Sequence, residues 1–195
     1  MPRREGRQWG LPVSNPPATG VAGFVETDRH LAIEAAHFDR AVTDGEIEWR
    51  TLADFGRTLG GVTAFPVTAG SRRAGGSSPH LEYDVNLVST GDVAVELQCA
   101  PSLEFRAGDS LRLAVSFDDL PPQVVKLDTW ATPQTWERAV GDGVRVVKTR
   151  HHIDRPGHHV LKFWLVTPGV VLERIVIDAG GVRPSYLGPP ESLRC

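Results

Sequence analysis

Apolar and polar positions alternate along much of this chain in short runs broken by glycine and proline, most sharply near residue 160. Residues 156–166 and 170–178 are two apolar, β-branched runs flanking Thr167-Pro168-Gly169, the pattern of a strand, a sharp turn and a second strand. In the first run Val160, Lys162, Trp164 and Val166 share one face. His159, Leu161, Phe163 and Leu165 share the other, which is the more apolar. A two-stranded unit cannot bury that face alone, so the upstream chain is expected to supply its cover.

Upstream, residues 30–38 read as the first strand and 47–50 as the next. Gly56, Gly60 and Gly61 within 52–62 mark a tight backbone path. Residues 69–79 form a glycine- and serine-rich loop. In 80–88, Leu81, Tyr83, Val85 and Leu87 alternate with Glu82, Asp84 and Asn86, the mark of a half-buried strand. Thr90-Gly91-Asp92 leads into a second alternating run, 93–99, and the pair is predicted to be an antiparallel hairpin. Residues 111–117 and 123–128 follow the same rule. One short helix of at most two turns, 135–140, is seeded by Pro133 and stopped by Gly141-Asp142-Gly143. With residues 154–157 as a loop, Ile153 would pair with His158 and His152 would face His159. Eight to ten short strands predict an all-β fold, a β-sandwich or jelly roll with one short helix. The expected layout is a lead-in over 1–22, the sandwich over 23–180 and a proline-rich tail over 181–195. Three prolines between Pro184 and Pro190 bar the tail from a central strand, so it is expected to lie on a surface.

Composition changes this picture little. The 195 residues suit one domain, and 20 glycines and 15 prolines fit many turns. A net charge of −3 without a basic stripe argues against nucleic acid. No apolar run reaches membrane-spanning length. The first ten residues carry charge without a following apolar region, so they are not a signal peptide, and the compartment stays open. Cys99 reads as a small buried residue and Cys195 as a free thiol; one pair is no disulfide framework.

Candidate chemistry follows from residue type. Hydrolysis of a glycoside needs two carboxylates facing across a pocket, and the adjacent Asp118 and Asp119 cannot flank a bond. His151, His152, His158 and His159 bracket one turn, but at most two converge. That is short of a zinc set, so they read as solvated polar residues at a strand end. Sugar binding needs an aromatic platform with polar neighbours. Trp130 and Trp136 flank residues 131–135 beside Glu137 and Arg138, and Trp49 sits beside Arg50 and near Arg57. Arginine suits a carboxylate by bidentate pairing. Trp164, in mid-strand, reads as core. A structural calcium would need six to eight oxygens; Glu34 and Asp178 are the two side chains that could meet if their strands are neighbours.

The stretch Gly180-Gly181-Val182-Arg183-Pro184-Ser185-Tyr186-Leu187-Gly188-Pro189-Pro190-Glu191-Ser192 resembles the closing signature of glycoside hydrolase family 115, the xylan α-1,2-glucuronidases. Residues 31–38, residues 55–62, and residues 156–178 with Pro168-Gly169-Val170-Val171 agree with that family's C-terminal domain in the same order. The resemblance implies a galactose-binding-like β-sandwich, normally appended to a catalytic barrel and itself not an enzyme. It implies a parent glycoside hydrolase, often exported. Related carbohydrate-binding families 6 and 35 hold a structural calcium with an acidic pair, whereas here Ala36 stands where the family has a second Glu. The expected role is therefore an accessory domain acting in domain packing, dimerisation or glucuronoxylan contact. Its partners would be a catalytic domain or a second copy of the chain, with Tyr186 and Leu187 as anchors. The alternatives are an independent carbohydrate-binding module and, third, a stand-alone glycoside hydrolase. The tail would either dock on that partner or cap this domain's own core.

Overall fold

The computed structural model describes residues 22–105, 108–130 and 132–195, so the predicted lead-in over 1–22 lies outside the described residues except for Ala22. In chain order the strands are β1 (Phe24–Val25), β2 (His30–Glu34), β3 (Arg40–Val42), β4 (Glu48–Ala53), β5 (Gly60–Phe65), β6 (His80–Leu87), β7 (Gly91–Cys99), β8 (Arg112–Phe117), β9 (Gln123–Lys126), β10 (Arg145–Ile153), β11 (Gly157–Leu165) and β12 (Val171–Asp178). They sort into two six-stranded sheets. Sheet I runs β1-β6-β11-β8-β9, with β3 beside β1 on the free edge of β6; sheet II runs β10-β7-β12-β5-β4, with β2 also on β12. The fold is the predicted all-β sandwich with one helix, α1 (Pro133–Asp142). No helix among the described residues is long and apolar enough to cross a membrane.

The period-2 pattern explains the packing. Leu81, Tyr83, Val85, Leu113, Val115, Phe117, Leu161 and Phe163 point inward from sheet I. They meet Leu31, Ile33, Val93, Val95, Leu97, Leu172, Ile175 and Ile177 from sheet II, all at most 3% exposed. Burying such a side chain is worth about 1.5–3 kcal/mol, which makes this interface the main stabilising term. On the outer face of sheet I, Trp164 packs with Ala114 and Val166, stacks its ring 4.1 Å from that of His80, and donates its indole N–H to Ser116 Oγ at 2.9 Å.

Three predicted strand pairings are corrected. β6 and β7, β10 and β11, and β11 and β12 are each consecutive runs joined by a turn, yet the members of each couple lie in opposite sheets. β6 and β12 instead pair with β11 and β7 respectively, and β10 pairs with β7. Each expected hairpin is an arch that carries the chain across the core. A strand whose inward face is apolar is satisfied equally by a neighbour beside it or by a sheet opposite it, and the turn residues do not distinguish the two. Two smaller differences concern length. The first strand stops at Glu34 and continues as a 3-10 turn, Ala35–His37. α1 is ten residues long, because Thr132 caps its start in a reciprocal pair with Thr135 and Gly143 ends it at φ 67°.

Residues 188–195 form a strap across both sheets. Glu191 Oε1 accepts from Glu34 N at 2.9 Å, and Ser192 exchanges bonds of 2.9 and 3.0 Å with Ala32, so the free edge of β2 is paired. Leu193 then accepts from Val25 N at 2.9 Å, and Cys195 exchanges two backbone bonds with Gly23. Between the sheets, fully buried Tyr83 on β6 donates its hydroxyl to Ala35 O at 2.8 Å. Tyr83→Phe keeps the ring packed but orphans that carbonyl. The expected cost is about 1.5 kcal/mol, lowering Tm by roughly 3–6 °C in thermal unfolding.

Candidate functional site

The outer face of sheet II carries an unusual concentration of charge. β12 is irregular between Leu172 and Arg174, so two successive polar side chains, Glu173 and Arg174, fall where the strand passes under other chain. They are 2% and 4% exposed. Arg174 Nη2 lies 3.2 Å from Glu34 Oε1, and Thr58 donates to Glu34 Oε2 at 2.5 Å. Arg57 N, in the loop between β4 and β5, donates to Glu173 Oε2 at 3.3 Å. Arg174 Nη1 then reaches out to Leu187 O at 2.9 Å, and the Arg57 guanidinium donates to Tyr186 O while its carbon lies 4.1 Å from the centre of the Tyr186 ring. The buried charges thus hold the tail in place, while Tyr186 and Leu187 themselves are 69% and 53% exposed. Phe55 and Leu59 from the β4–β5 loop are also exposed, at 37% and 60%. The result is a surface of apolar side chains around Arg57 with a fixed ionic base.

That base is not fully compensated. Glu173 Oε1, Arg57 Nε and Arg174 Nε are buried without a hydrogen-bond partner. Burial raises the Glu173 carboxyl above its ordinary value; the Arg57 backbone amide and charge oppose the rise, and the Glu34 charge adds to it.

The predicted aromatic residues occupy another part of the molecule. Trp130 and Trp136 meet edge to face, with ring centres 4.9 Å apart. Arg145, at the start of β10, places its guanidinium carbon 4.5 Å from the Trp130 ring centre and donates to Leu127 O and Thr129 O at 3.1 and 2.7 Å. The two indoles therefore do come together. The platform is partly engaged, because Arg145 covers Trp130. Trp130 Nε1 is buried without a partner. Next to it in the chain, Thr129 lines an open groove with Leu103, Glu104, Ser110, Lys126 and Asp128. Arg138 is exposed on α1. Trp49 is not part of this group: β4 and β10 are opposite edges of sheet II. Its indole donates to Val42 O at 3.0 Å, and its ring packs edge-on against Phe163 at 6.1 Å.

Two expectations are corrected by the register and the sheet assignment. β2 and β12 are neighbours, but Glu34 stands opposite Arg174 and Asp178 opposite His30. Four residues of strand separate the two carboxylates by roughly 13 Å, so they cannot share a calcium ion. Asp178 Oδ1 instead accepts from the backbone amides of Gly180, Gly181 and Val182. Among the described residues no group of three His, Cys, Asp or Glu side chains gathers in metal-binding geometry. His151 and His159 are not solvated, because β10 and β11 face each other across the core. Both rings pack edge-on against Phe117, and burial pushes His151 down to about 4. His152 and His158 do point outward, to Asp92 and Asp84.

Sequence reasoning missed Glu173, Arg174 and Arg145. The available signal was Glu173-Arg174 itself, two adjacent charges interrupting an apolar run. The raised Glu173 carboxyl yields a pH dependence with a definite sign. The folded state holds this proton more tightly than the unfolded chain, so the group's contribution to stability is largest below the ordinary carboxylate value. It is lost as pH rises from there through the raised folded value. In chemical unfolding from pH 4 to 7, Glu173→Gln is expected to gain stability relative to the wild type as pH rises. An Arg145/Trp130 double-mutant cycle is expected to give a coupling of about 0.5–1 kcal/mol.

Comparison with known proteins follows the same lines. Among solved structures, a GH115 4-O-methyl-α-glucuronidase with specificity for decorated arabinogalactans, BtGH115A, superposes with a TM-score of 0.58 at 15% identity. The alignment covers 90% of this chain and 19% of that one. The GH26-CBM35 β-(1,4)-mannanase of Podospora anserina gives 0.53 at 13% identity, over 81% of this chain and 29% of that one. The chain thus spans less than a third of the length of either enzyme, and at these identities the likeness concerns fold. A search of curated proteins finds no match. The family model for the glycosyl hydrolase family 115 C-terminal domain matches residues 23–191, nearly all of the described sandwich and its strap. The chain belongs to the glycosyl hydrolase family 115 C-terminal domain family.

Proposed function

We propose that this accessory, carbohydrate-related domain packs against the catalytic portion of a family 115-type α-glucuronidase and does no hydrolysis itself. The observation that carries this reading is the surface around Arg57. Tyr186, Leu187, Leu59 and Phe55 come from two separate segments, are exposed, and rest on the buried Glu34–Arg174 ion pair and the hydrogen bonds that tie Leu187 O, Arg57 N and Thr58 to this cluster. Large apolar side chains held rigidly in one patch are what a docking surface requires, since little side-chain and loop entropy is lost on binding. The occupant is argued from the family match: a C-terminal domain spanning 19% of a GH115 enzyme has the remainder of such an enzyme as its neighbour.

A second reading, an independent carbohydrate-binding module for glucuronoxylan, is favoured by one observation. Trp130 offers a buried, unpartnered indole N–H beside the groove at Lys126 and Asp128. The partial cover by Arg145 weakens it, because a stacking sugar needs the open face of a ring.

The two readings separate experimentally. In sedimentation velocity, the chain mixed with the family 115 catalytic portion of the same organism should form a complex. The double variant Tyr186→Ala/Leu187→Asp should lose the complex while lowering the melting temperature only slightly, since both side chains are exposed and the one contact removed is the surface stacking of Tyr186 on Arg57. Self-association through the same patch would replace the catalytic partner with a second copy. Calorimetric binding of glucuronoxylan that disappears in Trp130→Ala, with no complex formed, would favour the module. Release of glucuronic acid by the purified chain would sink the non-catalytic reading.

A further inference from the structure

Beside the tail, reaching Ser185 and Gly188 on either side of Tyr186 and Leu187 in the chain, lies a groove of about 820 Å³, lined among others by Asp28, Arg29, His30, Arg183 and Pro189. Its walls are two turns held against each other. Asp28 and Arg29 both sit in the left-handed region, at φ 48° and 60°, between Thr27 and His30, whose backbones exchange two bonds of 3.0 Å. Such two-residue turns favour Asn or Asp followed by Gly, so Asp28 suits its place and Arg29, where Gly is usual, carries the backbone strain. The facing turn is built on Asp178, whose carboxylate gathers three successive amides. A Cβ at Gly181 would lie 1.7 Å from Asp28 O, so only glycine allows the turns to touch.

The first of these turns carries a cation, held by a carbonyl of the facing turn. Arg29 Nε and Nη2 both donate to Ala179 O, which leaves Nη1 without a partner among the described residues. Arg183, on the opposite lip, makes no hydrogen bond or ion pair among the described residues and is exposed. Asp178, whose Oδ1 is taken by backbone amides, is not among the lining residues. The lining therefore holds two guanidiniums with donors to spare against one carboxylate, Asp28, together with the Ser185 hydroxyl and the apolar flanks of Pro189 and Pro190. Guanidinium groups with open donors match planar or tetrahedral oxyanions. A groove of this size admits one or two saccharide rings.

We propose that this groove is a binding site for an acidic saccharide, with Arg183 and Arg29 holding its oxyanion group, a carboxylate or a sulfate ester. The choice of a saccharide rests on the accessory-domain reading above; the choice of an anion rests on the groove alone. Titration calorimetry of the full chain would compare three probes: a glucuronate-bearing xylo-oligosaccharide, a sulfated galacto-oligosaccharide and a neutral xylo-oligosaccharide. At least one charged probe is expected to bind, with the neutral one weaker by tenfold or more. Arg183→Ala is expected to weaken the charged probe about tenfold. Because Arg183 has no partner to lose, its variant should melt as the wild type does, and should still dock in the sedimentation assay. Trp130→Ala is expected to leave binding unchanged. Equal affinity for the neutral probe, no binding of either charged probe, insensitivity to Arg183→Ala, or loss of binding in Trp130→Ala would each overturn the proposal. Which charged probe binds distinguishes carboxylate from sulfate. A failed docking assay with intact anion binding would remove the partner but keep the groove.

Discussion

β12 is buried on both faces, and the rest of sheet II is arranged to make that tolerable. Its inward residues Leu172, Ile175 and Ile177 are covered by sheet I, as in any sandwich. Its outward residues Arg174 and Val176 are 4% and 0% exposed, so the outer face needs cover of its own. A charged side chain in that position requires partners, since an isolated buried ion is prohibitively costly. Glu34 from β2 and the Leu187 carbonyl of the tail supply them for Arg174, and the β4–β5 loop gives Arg57 N to the neighbouring Glu173. One strand at the centre of one sheet thereby fixes the placement of three otherwise unrelated segments.

This arrangement connects stability with the layout of the surface. The polar cluster contributes little net stability, because desolvation offsets most of the attraction. Three of its nitrogen and oxygen atoms go without partners. What it provides is position. The tail crosses the sheet at a defined height, presents Tyr186 and Leu187, and borders the Arg29–Arg183 groove. Two surfaces with different chemistry share one short piece of chain, and each depends on the same carbonyl contacts beneath it.

Much of this was legible in the residues. The period-2 alternation identified which side chains face the core, and Leu161, Phe163 and Trp164 lie on the faces expected of them. The residues of 180–192 and three upstream stretches indicated the family. Strand partners were not legible, because the turn between β6 and β7 looks the same whether the chain doubles back beside itself or arches across a core. The Glu34–Asp178 pair failed for a related reason: proximity of strands says nothing of register, and four residues of offset separate the carboxylates. The polar cluster was hidden because Glu173 and Arg174 are ordinary charges until the segments that bury them are known. Trp130 and Trp136 flank a short stretch of chain, but that spacing does not show that their rings meet, nor that the cation over Trp130 comes from Arg145, nine residues beyond Trp136 in the chain.

The strap has a mechanical side. Gly23 and Cys195 are joined by two backbone hydrogen bonds of 3.0 and 3.1 Å, with Val25 and Leu193 the next pair inward. Tension applied between residues 22 and 195 would act across this antiparallel seam, loading its bonds one after another rather than all at once. Such a seam peels at low force. The strap would lift from β1, then from β2, while both sheets were still intact. Under tension the contact between Arg174 and Leu187 would be reached only after the seam had parted, so the exposed patch at Tyr186 and Leu187 would be lost before the core.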